Sequence, residues 1–275
     1  MVIRLPGVMA LAPILLAACA APPPAGPHPA IVSLNPCADA VLAQVADPAQ
    51  LLALSHYSHD ARASSMPQAE ARRFRVTGGT VEEVLALQPD VVVASTFLPP
   101  ATAAAFRRMG VRVELVGVAS TVAESEAQVR RLAAVAGHPD RGEALVARIE
   151  AALARTRASG PKVTALLWQQ GGIVAGPGSL IAQLLDHSGF ASQAAARGLG
   201  QGAYLPLEQV LADPPQVVLT TGDERALAHP ALRRVPGLRH ERLDPALLYC
   251  GGSTIIRAVE RLAQVRRVVP AERPS

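Results

Sequence analysis

The chain alternates short apolar runs with longer stretches in which apolar residues recur every three or four positions. The run at residues 31–34 predicts a strand, and residues 38–45 follow with helical spacing. Residues 51–54 predict a second strand. Thr80, followed three positions later by Glu83, has the capping-box pattern and opens a helix that must close before Pro89. Residues 90–94 form an apolar β-branched run, as expected of a strand buried on both faces. Residues 101–109 predict a helix and residues 111–116 another strand. This βαβ series argues for an α/β layer structure.

The second half restarts the theme. Strands are predicted at residues 163–168 and 217–220, and helices at 179–187, 206–211 and 253–265. Between the halves, Thr121 and Glu124 make a second capping box, with helix running to residue 136. Gly137, His138 and Pro139 interrupt it, and helix resumes over residues 140–158 with Leu145, Ile149 and Leu153 forming one apolar stripe. A helix of about twenty residues spans roughly 30 Å.

The two halves also match in sequence. Residues 81–94 align without gaps to residues 207–220, with seven of fourteen positions identical, Glu82 with Glu208 among them. Two lobes built on one plan would give this, with equivalent glutamates near the start of equivalent helices. The expected fold is therefore α/β: two lobes with parallel-type sheets joined by one long helix. The expected divisions are a lobe at 30–119, a helical stretch at 120–158 and a second lobe at 159–270.

Half of the 275 residues are hydrophobic and 17% are charged, the composition of a globular chain. The net charge of +4 is carried almost wholly by arginine, spread over several predicted helices. No basic stripe is interleaved with aromatics, which leaves nucleic acid without support as a partner. No Gly-rich phosphate loop, G-x-S-x-G elbow or H-E-x-x-H motif is present, and Gly176-Pro177-Gly178 reads as a turn. The chain is not expected to be an enzyme.

The N-terminus reads as an address. Arg4 supplies a positive region, residues 8–16 are apolar, and Leu16-Ala17-Ala18-Cys19 looks like a bacterial lipobox. Residues 1–18 are then a lipoprotein-type signal peptide, Cys19 the lipidated residue, and residues 19–29 a Pro-rich extended tether. Ordinary cleavage at a small-residue site is the alternative.

Taken together, several stretches resemble the periplasmic binding proteins for cobalamin, haem and ferric siderophores over nearly all of residues 30–268. They are Ile31 to Asn35, Leu54 to Ser58, Glu82 with the segment to Asp90, Gly110 to Val113, the interlobe helix and Glu208 to Val210. The resemblance implies a monomeric, lipid-anchored periplasmic protein that carries a cobalt or iron chelate, with no resident cofactor, to an ABC permease dimer with its ATPase. The implied cargo is cobalamin or another corrinoid, a ferric siderophore, or haem. Glu82 and Glu208 would dock onto permease arginines, and ligand would sit in a shallow cleft between lobes that move little. At one point the chain departs from the cobalamin-binding members: Thr77-Gly78-Gly79-Thr80 stands where they carry a Trp, which weighs against a corrin.

Strand ends face the crevice in α/β sheets. They nominate Asn35, Cys37, His56, Tyr57, His59, Thr96 and Phe97 from the first lobe. From the second they nominate Trp168, Gln169, Gln170, Tyr204, Tyr249 and Cys250. By resemblance, Tyr57 stacks against a macrocycle; Trp168 either faces it across the cleft or belongs to the core. Cys37 and Cys250 have three readings: an interlobe disulfide, thiolate ligation of the chelated metal, or two unrelated thiols. No protein metal site is expected. His56 and His59 read as rim histidines, either of which could ligate a chelated metal axially. Alternatives to chelate delivery are a free-metal-binding lipoprotein of similar build and a sensing or scaffolding lipoprotein. Arg62, Arg72, Arg73, Arg197 and Arg257 are the cations that could meet an anionic siderophore.

Overall fold

The computed structural model describes residues 27–222 and 225–269. The signal peptide and the lipidation of Cys19 lie outside the described residues. In chain order the first lobe contains β1 (Ile31–Ser33), α1 (Pro36–Val45), β2 (Leu51–Ser55), α2 (Gln68–Ala71) and β3 (Val76–Thr77). It continues with α3 (Val81–Leu85), β4 (Val91–Ser95), α4 (Pro100–Arg108) and β5 (Arg112–Val116). The strands pair in the order β3-β2-β1-β4-β5, every pair parallel. Two helices follow, α5 (Val122–Ala136) and α6 (Pro139–Thr156).

The second lobe contains β6 (Val163–Gln169), β7 (Ile173–Val174), α7 (Leu180–His187), β8 (Phe190–Ser192) and α8 (Gln193–Ala196). Then come α9 (Leu207–Ala212), β9 (Val217–Thr221), α10 (Pro230–Arg234), β10 (Arg239–Arg242) and α11 (Thr254–Val268). Its sheet runs β10-β9-β6, all parallel. The far edge of β6 takes β8 in parallel near its start and β7 antiparallel at its end. The fold is thus the expected pair of α/β lobes.

Strand alternation divides the apolar residues into three clusters. In β4, Val91 and Val93 face an inner core while Val92 and Ala94 face the outer side with Phe106. In β9, Val217 and Leu219 point inward and Val218 outward. The inner core is continuous across both lobes: α1, α5 and α6 pack into it from one side, α7 and α11 from the other. The internal repeat is structural as well, since β4 and β9 occupy equivalent positions 126 residues apart, each beside the first strand of its sheet.

Local signals explain most boundaries. Asn35 caps α1 through Oδ1, which accepts from the Cys37 and Ala38 amides at 2.9 and 3.3 Å, and Pro36 takes the first helical position. The Thr121 hydroxyl caps the Glu124 amide, while the Glu124 carboxylate accepts from the Ser120 amide, one residue before the cap. At Thr80 only half of the box forms: its hydroxyl caps Glu83, but the Glu83 carboxylate turns to Thr77 and Gly78 instead. Gly137 ends α5 in the left-handed region, and α6 then runs 18 residues from the first lobe into the second. No helix among the described residues is long and apolar enough to cross a membrane.

Candidate functional site

Each sheet reverses its direction of growth beside its first strand: β2 and β4 flank β1, while β8 and β9 flank β6. Crevices open at the carboxyl ends of strands at such switch points. Here the two crevices face one another and form a cleft of about 540 Å³ between the lobes. Asn35, Cys37, Tyr57, Ser95 and the loop after β5 wall it on one side. Gln169, the start of α7, Gln201, Tyr249 and Cys250 wall it on the other.

The cleft floor is where the lobes are joined. Cys37 and Cys250 form a disulfide with their Cα atoms 5.2 Å apart, which settles the three readings in favour of the interlobe bridge. Beside it, the buried Ser125 of α5 accepts from the Gly252 amide at 2.7 Å. A Cβ at Gly251 would lie 2.2 Å from the Ser125 hydroxyl oxygen, so this approach requires glycine. Gln44 of α1 donates to the Ser253 hydroxyl at 2.6 Å, and Arg257 of α11 reaches back to the Ser65 carbonyl.

Of the residues nominated from sequence, Asn35, Cys37, Tyr57, Gln169, Tyr249 and Cys250 line the cleft. Asn35 is 8% exposed and spends its amide oxygen on the α1 cap. Gln170 borders a smaller hollow of about 220 Å³ that shares Gln169 and Tyr249 with the cleft. Trp168 corrects the sequence reading: it shares the strand parity of Leu166, packs in the outer core at 1% exposure, and donates from Nε1 to the Leu205 carbonyl. A Tyr57–Trp168 sandwich is therefore not formed; the aromatic residues that line the two sides are Tyr57 and Tyr249, both about half exposed.

Thr96, Phe97 and Tyr204 are exposed but lie outside the cleft lining. His56 and His59 are exposed, and each turns a ring nitrogen to a backbone carbonyl, that of Thr77 at 3.3 Å and of Ala71 at 3.1 Å. Sequence reasoning missed Ser95, Gln128 and Gln201. Gln128 sits inside α5, where nothing in the helical pattern marks it, and donates to the Gly117 carbonyl at 2.8 Å.

Among the described residues, no charged side chain lines the cleft. Arg62, which pairs with Asp60 within electrostatic reach of Tyr249, and Arg197, which pairs with Asp213, are not among the lining residues. Partial burial, then the Asp244 and Asp60 carboxylates, hold the Tyr249 hydroxyl above the ordinary phenol range, so at neutral pH it is a hydrogen-bond donor.

Glu82 and Glu208 are exposed in the first turns of the equivalent helices α3 and α9, and neither forms an ion pair among the described residues.

One buried carboxylate supports the cleft wall. Asp39 on α1 is fully buried; its Oδ2 accepts from the Ser58 hydroxyl at 2.6 Å and the Ser55 amide at 3.0 Å. It thereby anchors the turn that carries Tyr57. Burial pushes its carboxyl up to about 7, against the pull of hydrogen bonds from Ser33, Ser58 and Ser55.

Two α/β lobes, one connecting helix and a cleft between them are the architecture on which the comparison with known proteins bears. The chain belongs to the periplasmic binding protein family, whose model matches residues 31–243. No curated protein matches the chain. Among solved structures it is similar to the periplasmic haem-binding protein RhuT of Roseiflexus sp. RS-1 in apo form, at 22% identity and a TM-score of 0.67, covering 86% of this chain and 96% of that one. It is also similar to the periplasmic haem-binding protein HutB of Vibrio cholerae, at 19% identity and a TM-score of 0.69, covering 86% and 97%. The periplasmic vitamin B12 binding protein BtuF of the same organism matches at 20% identity and a TM-score of 0.66, covering 88% and 98%. The family is one of periplasmic substrate-binding proteins; at these identities the solved structures speak for the fold.

Two outcomes follow from this geometry. The disulfide closes a loop with a sequence separation of 213, so Cys37→Ser with Cys250→Ser should cost about 2–5 kcal/mol, read from urea unfolding. An unchanged midpoint would contradict the bridge. The folded chain keeps a proton on Asp39 between its ordinary value of 3.8 and about 7, whereas the unfolded chain releases it. Stability should therefore fall as pH rises through that window, and Asp39→Asn should flatten the fall. Equal slopes for the two proteins from about pH 4 to about pH 7 would show that Asp39 does not titrate this way.

Proposed function

We propose that the protein captures a metal-chelate nutrient in the interlobe cleft and delivers it to an ABC importer, anchored to a membrane by a lipid on Cys19. The observation that carries the reading is a ligand-sized cleft at the shared carboxyl edge of two sheets, with a tyrosine from each lobe. Tyr57 and Tyr249 offer flat apolar faces to a macrocycle, and Asn35, Gln128, Gln169 and Gln201 offer amides.

The absence of charge in that lining narrows the cargo. A chelate with propionates or catecholates brings anionic groups that must be paired when buried. Among the described residues no arginine or histidine lines this cleft, and the carboxylates that act on Tyr249, one of them paired with Arg62, are of the same sign as such a ligand. A chelate with a neutral, amide-bearing periphery fits these walls, and corrinoids are that class. This outweighs the missing Trp before Glu82, because the cleft presents its aromatics at Tyr57 and Tyr249 instead. Haem and ferric siderophores become the second reading.

Glu82 and Glu208 would guide docking. Each projects from the first turn of the same helix in the repeated unit, so the carboxylates are held by separate rigid lobes as a two-point match for cationic partners. Both helices sit directly before the central strands β4 and β9, and Val84 and Val210 fix them on the outer clusters of their lobes. The protein acts as a monomer in this scheme.

The cargo is tested by calorimetric titration with cyanocobalamin, cobinamide, haemin and a ferric catecholate. A corrinoid should bind at about micromolar affinity or better, and the anionic chelates at least roughly tenfold more weakly. Tighter binding of haemin or the catecholate would overturn the corrinoid assignment, and silence from all four would overturn chelate capture. Docking is tested in uptake assays with Glu82→Ala combined with Glu208→Ala. Ligand affinity should stay within about twofold while uptake falls to background. Undiminished uptake would remove both glutamates from the docking role.

A further inference from the structure

A second cluster of donor atoms lies well away from the cleft. Gln128 lines the cleft, and α5 carries the chain about 15 Å beyond it before breaking at Gly137 and His138. Three segments distant in sequence converge at that break. His28 comes from the entry of the chain, Asp47 from the loop after α1, and His138 from the α5–α6 turn. One ligand atom from each lies within 4.8 Å of the others.

The surroundings hold these atoms in place. The His28 and His138 rings are in contact, with centroids 4.2 Å apart and planes inclined at 46°. Gly137, at φ +82°, is the only residue type that admits His28 here, because a Cβ would lie 2.4 Å from its Nδ1. Arg141 takes Asp47 Oδ1 at 2.8 Å, leaving Oδ2 directed at His138 Nε2 at 3.3 Å. Gln50 donates to the Pro29 and Ala136 carbonyls, which points its Oε1 at His138 Nε2 from 2.8 Å. Two acceptor oxygens thus converge on one imidazole nitrogen, and a second imidazole packs beside that ring.

We propose that His28, Asp47 and His138 bind a divalent transition-metal ion of zinc type, clamping the end of the N-terminal tether to the start of the interlobe helix. Two imidazoles and a carboxylate are a zinc donor set with one tetrahedral position left for water or the Gln50 carbonyl oxygen. The guanidinium on the outer carboxylate oxygen and the fixed Gln50 amide act as supports that orient the ligands. The Asp47–His138 edge, at 3.3 Å, already matches the roughly 3.4 Å edge of a tetrahedral site, and the remaining separations lie within 4.8 Å. Without metal the same atoms make a polar contact between Asp47 and His138 and a tilted pair of rings, so the distinguishing property is saturable binding that depends on all three. The site is independent of the cleft and of the cargo assigned to it.

The test uses the full chain, stripped with a chelator and titrated with Zn²⁺ by calorimetry and with Co²⁺ by visible absorption. One equivalent should bind at about micromolar affinity, with tetrahedral Co²⁺ bands and a rise of a few degrees in Tm. His28→Ala, on the partly exposed ligand, and Asp47→Asn should each weaken binding by about tenfold or more while circular dichroism stays unchanged. The proposal is overturned by lack of saturable binding, or by binding that survives intact in both variants.

Discussion

The rest of the structure depends on an apolar core that does not stop at the lobe boundary. The inward faces of β4 and β9 lie in the same cluster, with α1, α5, α6, α7 and α11 packed between and around them. Two lobes with separate cores would rock about their connection, whereas a shared core makes relative motion cost the contacts of many buried side chains. The Cys37–Cys250 bridge, the Ser125–Gly252 contact and the Gln44–Ser253 hydrogen bond close the same junction with covalent and polar links. The cleft above them is accordingly preformed, and its shape is set by packing well below the ligand.

This arrangement separates two jobs that the cleft residues could otherwise confuse. Asn35 and Asp39 are spent on structure: one caps α1, the other anchors the turn bearing Tyr57. Among the described residues, the groups left to face a ligand are tyrosines, amides, serine hydroxyls, aliphatic side chains and backbone, without charge. A preorganised uncharged site selects by shape and hydrogen bonding.

Much of the fold was legible because both sheets use central strands with long apolar runs, and because the repeat preserves helix, proline and strand in register. The short or polar strands were not legible: β3 and β7 have two residues each, and β10 reads Arg-His-Glu-Arg, whose side chains contribute polar contacts to Thr220 and Arg261 rather than an apolar run. In the site, the strand-end rule found Asn35, Cys37, Tyr57, Gln169, Tyr249 and Cys250, since these lie beside switch points. It failed for Trp168, although the alternation Leu166–Trp168 already placed that ring on the outer face. It could not find Gln128 and Gln201, which a helix and a loop bring in from elsewhere. The His28–Asp47–His138 cluster was equally hidden, since its members are far apart in sequence and meet only through the α5–α6 turn.

The claim of a single interlobe core is tested most directly by scanning calorimetry of the oxidised protein without ligand. One cooperative transition, with calorimetric and van't Hoff enthalpies in agreement, is the result this account predicts. Two resolved transitions, one for each lobe, would contradict it and return the cleft to a hinge between independent domains.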